Sequence, residues 1–528
     1  MSFKEIDEVK GYYKRYLDKK GKSLLERPFI DRCLKEVFSG RLLIVSAPTG
    51  YGKTLVSLLE AYLTLEGKEG WEKLIVAYPT RALISEQEEK FKGTFEGKES
   101  LIGTRHMGKA ESRYLSKPVT VTTYDTLSLT SFGLSPDDNI SASSEDYYLP
   151  HYIFSRFSAF ISNIVFDEAH LLYDSQKSLD YLFFLINLYS DVLKRKLVLL
   201  SATLPDRFIE PLESRYGFKL LELGENDDPD FWASRKAKKY RIEIKSFSEK
   251  EDVLRFIAQK LKDGTFKKAL VVMNTVEEAQ KAYSLLKSTA NRVLLIHSRF
   301  TDEDKEKKAE EIKKVEEGIV VGTQSVEVGL DSSFDLIITD AAPLNSLVQR
   351  FGRFLRDEKD NEGEAYIIYD GSEAQGKYKG VYDIGLVEGS LKAIAKRQQT
   401  EGNVNLHVGY KPLLNEVYSE KVLPNYSDLS EMSGVFWSFD FGRLSEFFRK
   451  KGGSFVRDEV LVEGRVSGIS VPVDLSFAEK HLEKVICGSN EFHPSKNGDL
   501  FSFALSGCAF ELKGVEYDSD LGLISRSS

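Results

Sequence analysis

Cysteine is nearly absent: three in 528 residues, at Cys33, Cys487 and Cys508, with no Cys-x-x-Cys pair. A zinc ribbon, a dithiol redox motif and a disulfide scaffold therefore find no support, and the three read as buried or idle thiols of a cytoplasmic chain. No apolar run reaches the roughly 18 residues of a membrane-spanning helix. The opening MSFKEIDEVKGYYKRYLDKKGK is charged from residue 4 and has no apolar signal core, so secretion is not expected. Histidine is scarce too: seven residues, at 106, 151, 170, 297, 407, 481 and 493, none followed by aspartate. Positive charge is in deficit, with Lys+Arg 73 against Asp+Glu 82 and a net charge of −9. That excludes a uniformly basic nucleic-acid binder, and any DNA or RNA site must be a local groove. Glutamine is sparse while lysine and glutamate abound, a composition that leans toward a heat-adapted source.

What is present is ordinary globular material, 41% apolar and 29% charged, enough for several cores. Short, nearly continuous apolar runs alternate with helical patterns: Leu42–Ser46, Leu74–Tyr78, Val119–Thr123, Ile164–Phe166 and Leu197–Ser201. This is the grammar of parallel strands covered on both faces. An acidic stretch, Gly224–Asp230, reads as a linker, and Ser135–Asp146 as an exposed loop. The alternation restarts at Ala269–Met273, Val293–His297, Gly318–Gly322, Leu336–Thr339 and Ala365–Tyr369. After about residue 400 the pattern changes. Val460–Val473 alternates like antiparallel strands, Phe477–Cys487 looks helical, and Leu500–Leu512 is strand-like. The expected fold class is α/β: two tandem parallel-sheet domains (1–225 and 226–375), a helical linker (376–400) and a mixed α+β accessory domain (401–528).

The first strand runs into Ala47-Pro48-Thr49-Gly50-Tyr51-Gly52-Lys53-Thr54, which closes like a phosphate-binding loop. Small residues let backbone amides curl around phosphate oxygens at the N-terminus of the next helix. Thr49, Gly50 and Gly52 shape that cradle, Lys53 reaches the outer phosphates, and the Thr54 hydroxyl holds Mg²⁺. Strand Ile164–Phe166 ends in Asp167-Glu168-Ala169-His170. A carboxylate at the end of a buried strand is costly unless it serves a charge; Asp167 is assigned to Mg²⁺ and Glu168 to the attacking water. His170 reads either as a coupling residue or as a hydrogen-bonded core histidine. Ser201 and Thr203, after the next strand, read as coupling hydroxyls or as a helix cap. In the second domain, Gln349-Arg350-Phe351-Gly352-Arg353-Phe354-Leu355-Arg356 spaces arginines by three, one face of a helix, and Arg353 and Arg356 are the candidate arginine fingers.

In order, APTGYGKT, YPTRAL (78–83), TTYDTL (122–127), DEAH, SATLP (201–205), GTQSVEVGLD (322–331) and QRFGRFLR resemble the motif set of superfamily 2 DExH helicases. Asn274-Thr275-Val276, His297-Ser298-Arg299-Phe300-Thr301 and TQSVEVGLD look like the helicase part of the type I CRISPR-associated helicase–nuclease. The resemblance is good over about 27–370. It implies two RecA-like domains facing each other across an ATP cleft, with Gln349, Gly329 and Asp331 near the nucleotide. It also implies single-stranded DNA contacts from Thr80, Arg81, Thr122, Thr123, Thr275, Ser298, Arg299 and Thr323, and movement 3′ to 5′. Implied partners are a Cascade-type CRISPR surveillance complex and, since no His-Asp pair is present, a separate HD-type nuclease subunit. The adenine-reading glutamine of many relatives is missing after Arg27-Pro28-Phe29-Ile30, leaving Phe29 to stack on the base. Rival readings are an RNA helicase, a double-strand DNA translocase, and an ATP-binding clamp that hydrolyses ATP only as a conformational switch. Lys236–Lys239 and the Arg443–Lys451 helix read first as solvated surface, and Trp71, Trp232 and Trp437 as packing residues.

Overall fold

The computed structural model describes the chain except residues 1, 107–108, 135–150, 174, 264–265, 289, 291, 328–329, 358, 372–377, 379–380, 421–422, 457–459, 494–499, 506 and 526–528. The loop expected at 135–146, together with Gly329, lies outside the described residues. Spatial contacts group the rest into two compact units. One comprises 1–228, 421–462 and 474–510; the other comprises 229–420, 463–473 and 511–528. Residues beyond 401 are thus shared between the two units, and no break between units falls at 376–400.

The first unit is built on an eight-stranded sheet: β1 (Leu42–Ser46), β2 (Leu74–Tyr78), β3 (Ile102–His106), β4 (Lys109–Ala110), β5 (Val119–Thr123), β6 (Asn163–Asp167), β7 (Leu197–Ser201) and β8 (Lys219–Glu222). Its order is β4-β3-β5-β2-β6-β7-β1-β8, with β3 and β4 antiparallel and the other neighbours parallel. Strands β1, β2, β5, β6 and β7 are buried at every residue; β1, β2 and β7 are accordingly nearly continuous apolar runs, while β5 alternates valine with buried threonine. Helix Thr54–Leu65 is buried from Leu55 through Thr64, and its leucine-rich sequence is apolar nearly all round to match. Between β1 and β2 the chain skips two strand positions, later filled by β6 and β7. That crossover leaves a crevice at the carboxyl ends of the strands, where ligands bind in such sheets.

The second unit carries a six-stranded, all-parallel sheet: β9 (Ile242–Phe247), β10 (Lys268–Val272), β11 (Val293–Ile296), β12 (Gly318–Gly322), β13 (Leu336–Asp340) and β14 (Glu364–Asp370), in the order β11-β12-β10-β13-β14-β9. Strand β9 closes one edge with an alternating Ile-Glu-Ile-Lys pattern, and helix Ile384–Glu401 follows β14. The C-terminal segments add a small five-stranded sheet from β15 (Leu461–Val466), β16 (Ile469–Asp474), β17 (Leu482–Cys487), β18 (Asn490–Phe492) and β19 (Ala509–Leu512). A hairpin of β20 (Val515–Asp518) and β21 (Gly522–Ser525) completes the chain. The class is α/β with a mixed C-terminal part, as expected.

Several local expectations change. The helix expected over 477–487 is confined to Leu475–Lys480; Val485-Ile486-Cys487 instead pair with Asn490–Phe492 in an antiparallel ladder. The strand expected over 500–512 is split into a helix at Leu500–Leu505 and β19, with Gly507 at a positive φ of 66° between them. The cysteines are not all thiols: Cys487 and Cys508 form a disulfide with Cα atoms 4.6 Å apart, and only Cys33 is free and buried. Twenty-one residues separate the two in sequence, and the pairing that joins them is non-local, so spacing gave no sign of it. Lys238 is not solvated surface but buried, donating to the Asp357 and Asp360 carbonyls at 2.6 and 2.7 Å. Trp437 is 48% exposed rather than packed. Among the described residues no helix is long and apolar enough to cross a membrane.

Candidate active site

Three consecutive positions across the first sheet bring three motifs together. Strand β7 lies between β1 and β6, so Ser201 sits between the loop after β1 and the acidic motif after β6. The Ala47 amide donates to the Ser201 carbonyl at 3.0 Å, and Ser201 Oγ lies 3.3 Å from His170 Nδ1. The loop Ala47–Lys53 turns on two glycines in left-handed backbone, Gly50 at φ 79° and Gly52 at φ 103°, where a side chain would be strained. Lys53 is buried, and its ammonium donates to the Ala47 and Pro48 carbonyls at 2.7 and 3.2 Å. The cradle is thus held closed around its own lysine. Neutral carbonyls are weaker acceptors for an ammonium than phosphate oxygens are.

Opposite stands a pair of acids, one buried and one partly exposed. Asp167 is buried, with Oδ1 accepting the Glu168 amide at 3.0 Å and its backbone carbonyl accepting the Tyr124 hydroxyl. Burial, and then the adjacent Glu168, push its carboxyl well above the ordinary carboxylate range, and Lys53 only partly offsets this. Glu168 has left-handed backbone (φ 59°, ψ 43°), which is strained for a residue with a side chain. Its Oε2 is buried with no hydrogen-bond partner among the described residues, and lies 3.4 Å from His170 Nδ1. His170 is 1% exposed and burial lowers its pKa to about 4, so the ring is neutral between Glu168 and Ser201. The Thr203 hydroxyl is also buried and unpartnered among the described residues.

These features fit a nucleotide with its metal ion. Unpartnered buried polar atoms are rare in folded proteins, and Glu168 Oε2 and the Thr203 hydroxyl are two of them at the carboxyl edge of this sheet. Among the described residues no group of three or more His, Cys, Asp or Glu side chains is arranged to hold a metal. A Mg²⁺ ion carried on phosphate oxygens needs only one or two protein ligands, and Thr54 with Asp167 is such a set.

Phe29 is placed differently from expectation. It is 1% exposed, edge-on to Tyr51 at 5.9 Å, with the Arg32 guanidinium 5.0 Å from its ring centre. The ring offered to the base is therefore already covered. Sequence reasoning also missed Asp227 and Asp228, taken as linker. Asp228 accepts from the phosphate-loop Tyr51 hydroxyl and from Arg27, both at 3.0 Å, and Asp227 accepts from Arg32 at 2.6 and 3.2 Å. Acidic residues in a polar stretch carry no spacing that marks them for this role.

Of the residues assigned to nucleic acid in this unit, Thr122 is fully buried and donates to the Arg105 carbonyl at 2.6 Å, and Thr123 caps helix Tyr124–Ser131. Both hydroxyls are committed to the fold. Thr80 precedes helix Arg81–Thr94 without capping it, and its hydroxyl is buried and unpartnered among the described residues.

The second unit gathers its motifs around one arginine. Helix Leu344–Phe351 stops at Gly352, so Arg353 and Arg356 do not share a helical face as expected. The Phe334 amide donates to the Arg353 carbonyl and the Leu355 amide to the Phe334 carbonyl, which draws the chain out of the helix. Arg350, inside the helix, is 0% exposed. Its Nε donates to Glu327 Oε1 at 2.8 Å; Nη1 to Thr339 Oγ1 at 2.7 Å and the Asp340 carbonyl at 2.9 Å; Nη2 to Asn274 Oδ1 at 3.1 Å and the Tyr382 hydroxyl at 3.0 Å. Burial raises the Glu327 pKa and Arg350 pulls it back. Removing one partner of such a pair strands the other, at roughly 3–5 kcal/mol. Arg353 Nη2 donates to the Glu327 carbonyl at 2.7 Å, and Arg356 pairs with Asp331 at 3.0 Å. Gln349 is 1% exposed, and neither its amide oxygen nor its nitrogen finds a partner among the described residues. Thr275 caps helix Val276–Lys287, the Thr323 hydroxyl lies 3.4 Å from Ser325 Oγ, Ser298 is exposed, and Arg299 pairs with Glu277. Arg350 carried no assignment from sequence because buried and exposed arginines look alike in a motif.

Residues 27–212 match the family model of the DEAD/DEAH box helicase, and residues 265–359 that of the CRISPR-associated nuclease/helicase Cas3, C-terminal. The CRISPR-associated helicase Cas3 of Thermoproteus tenax is 26% identical over 403 residues, covering 73% of this chain and 65% of that protein. The crystal structure of T. fusca Cas3 with ADP superposes with a TM-score of 0.62 at 18% identity, covering 95% of this chain and 70% of that one. A CRISPR RNA-guided surveillance complex, pre-nicking, contains a chain that superposes at 0.60 with 17% identity, covering 94% and 70%. The chain spans about half to two thirds of the length of the curated relatives it matches. The resemblance to superfamily 2 helicases of the Cas3 type holds over the two matched segments.

The raised pKa of Asp167 has a consequence for stability. Between the ordinary carboxylate range and its raised value, the folded chain holds more protons than the unfolded one, so this group destabilises the fold as pH rises through that window. With EDTA present and no nucleotide, Asp167→Asn is expected to raise Tm relative to the unsubstituted chain at pH 8 and to leave it nearly unchanged at pH 4. Equal effects at both values would contradict the dry acidic site.

Proposed function

We propose that this chain, with the two motor domains of a Cas3-type superfamily 2 helicase, hydrolyses ATP to move 3′ to 5′ along single-stranded DNA during type I CRISPR interference. DNA cutting comes from a separate HD-type nuclease subunit, and a Cascade-type surveillance complex supplies the target, in the cytoplasm. The observation that carries the reading is the assembly of Lys53, Asp167, Glu168, His170 and Ser201 at the carboxyl edge of one sheet.

Loop amides from Thr49 to Thr54 and the Lys53 ammonium hold the phosphates, which replace the Ala47 and Pro48 carbonyls as lysine acceptors. Thr54 and Asp167 hold Mg²⁺, which offsets phosphate charge when bound. Glu168, bent toward the site by its left-handed backbone, orients the attacking water and accepts its proton. Neutral His170 ties Glu168 to Ser201, so a change at the acid is felt at the strand between the two motifs. Arg353 and Arg356 offset charge on the transferred phosphoryl group, a contribution worth about 10³–10⁵ in rate in other such enzymes. Gln349, Gly329 and Asp331 complete the nucleotide set, while Phe29 acts through packing rather than by stacking on the base.

Thr80, Arg81, Ser298 and Arg299 contact strand phosphates with their side chains. Thr122, Thr123, Thr275 and Thr323 hold the loops in shape. Contacts of this kind do not read bases, as a motor that moves on any sequence requires.

Two experiments test the reading. Glu168→Gln is expected to bind ATP and stall, and Arg353→Ala to lose turnover while nucleotide affinity stays within a few-fold; normal hydrolysis by either removes that residue from the site. Unwinding should favour a 3′-tailed DNA duplex over the matched RNA, and the purified chain with Mg²⁺, Mn²⁺ or Ni²⁺ should leave single-stranded DNA intact. Preference for RNA, or cutting by this chain alone, would overturn the corresponding part of the proposal.

A further inference from the structure

The last described residues of the chain belong to the second unit, and they are bound to one of its motif loops. Strands β20 and β21 pair in register from Val515 opposite Ser525 to Asp518 opposite Gly522. Their turn is set internally, with Asp518 Oδ1 accepting the Asp520 and Leu521 amides at 2.8 and 2.9 Å. Gln280 fastens the hairpin to helix Val276–Lys287, its Nε2 donating to the Leu521 and Leu523 carbonyls at 2.7 and 3.0 Å, and Lys287 pairs with Asp520. Leu523 is fully buried.

The hairpin grips the His297–Thr301 loop along its backbone. The Leu523 amide donates to the Arg299 carbonyl at 2.9 Å, and the Tyr517 hydroxyl accepts the Thr301 amide at 3.1 Å while donating to Asp304. His297 joins the two segments. Its Nδ1 accepts the Arg299 amide at 3.2 Å, which places the ring proton on Nε2, 2.9 Å from the Leu521 carbonyl it donates to. The ring is 0% exposed and burial lowers its pKa to about 3, so it stays a neutral bridge at any working pH. Gly522 is the point of closest approach. A Cβ there would lie 2.6 Å from the Arg299 carbonyl oxygen and 2.7 Å from His297 Cε1, at a φ of +73°. Residues 297, 299 and 301 are thus all held, while Ser298 between them stays exposed.

We propose that this C-terminal hairpin is the positioning element of a nucleic-acid loop: residues 515–525 hold Ser298 and Arg299 in place for a strand's phosphates, so strand binding depends on them and basal ATP hydrolysis does not. The inference rests on the reading that Ser298 and Arg299 contact nucleic acid. It gives Gly522, Tyr517 and Gln280 a role in strand affinity although none of them touches the strand.

The test uses the full chain and a single-stranded DNA oligonucleotide. Three quantities are read: basal ATPase, the oligonucleotide concentration for half-maximal stimulation, and the slope of log affinity against log salt. Gly522→Ala is expected to raise the half-maximal concentration about tenfold, the scale of one or two lost hydrogen bonds. Its salt slope should shrink by about one phosphate contact, as in Arg299→Ala, with basal turnover unchanged. Tyr517→Phe should shift the concentration in the same direction by a few-fold, and it decides the matter if Gly522→Ala fails to fold. Wild-type strand requirement in both hairpin variants, alongside a weakened Arg299→Ala, overturns the hairpin's role and leaves the loop's role standing. A parallel fall in basal turnover also overturns it, because the hairpin would then serve the fold alone. A wild-type strand requirement in Arg299→Ala defeats the underlying reading instead.

Discussion

A carboxyl group buried at the end of a strand, with a second beside it, sets the terms for the rest of this structure. Asp167 stands where burial, and then the adjacent Glu168, disfavour its charge. A fold selected for stability alone would place an apolar residue there, as it does at Ile164, Val165 and Phe166. The arrangement makes sense only if positive charge arrives. The strand order provides for that: β7 separates β6 from β1, so the phosphate loop and its lysine fall within reach of the acids without direct pairing of the two motifs. Left-handed backbone at Gly50, Gly52 and Glu168 falls at this same edge, and at Glu168, which carries a side chain, it is strained.

The second unit solves a different problem in a similar way. Its loops after β10, β12 and β13 and its motif helix must keep fixed relative positions, and one buried guanidinium touches all of them. Arg350 uses Nε and both Nη nitrogens, so its planar fork sets angles as well as distances. Arg353 hangs from the same framework through the Glu327 carbonyl. Gln349, beside Arg350 in the same helix, has its amide buried and unpartnered among the described residues.

How much of this was legible in the sequence follows from the range of the interactions involved. Strands β1, β2, β5, β7 and β12 were readable to the residue, β1, β2 and β7 because full burial demands nearly continuous apolar runs, β5 and β12 because a short β-branched run stands between turn and helix signals. The phosphate loop and DEAH were readable because their chemistry requires fixed residue types at fixed spacing. Side-chain commitments were not. Thr122, Thr123 and Thr275 carry the residue type of phosphate contacts, but their hydroxyls are spent on a carbonyl and two helix caps. Phe29 has the right type for a base platform and lies under Arg32. Arg353 and Arg356 keep helical spacing past the point where Phe334 draws the chain out of its helix. In the C-terminal part, strand pairing, the Cys487–Cys508 disulfide and the hold of Gly522 on Arg299 join residues far apart in the chain, and no local pattern encodes them.

The account stands or falls on whether the closed cradle around Lys53 is a phosphate site awaiting its ligand. Calorimetric titration of Mg²⁺–ATP into the full chain and into Lys53→Met measures this directly. Loss of most of the binding in the variant, with the fold intact by circular dichroism, is the expected result. Equal affinity in the two proteins would mean that the lysine belongs to the loop and that the nucleotide, if bound at all, sits elsewhere.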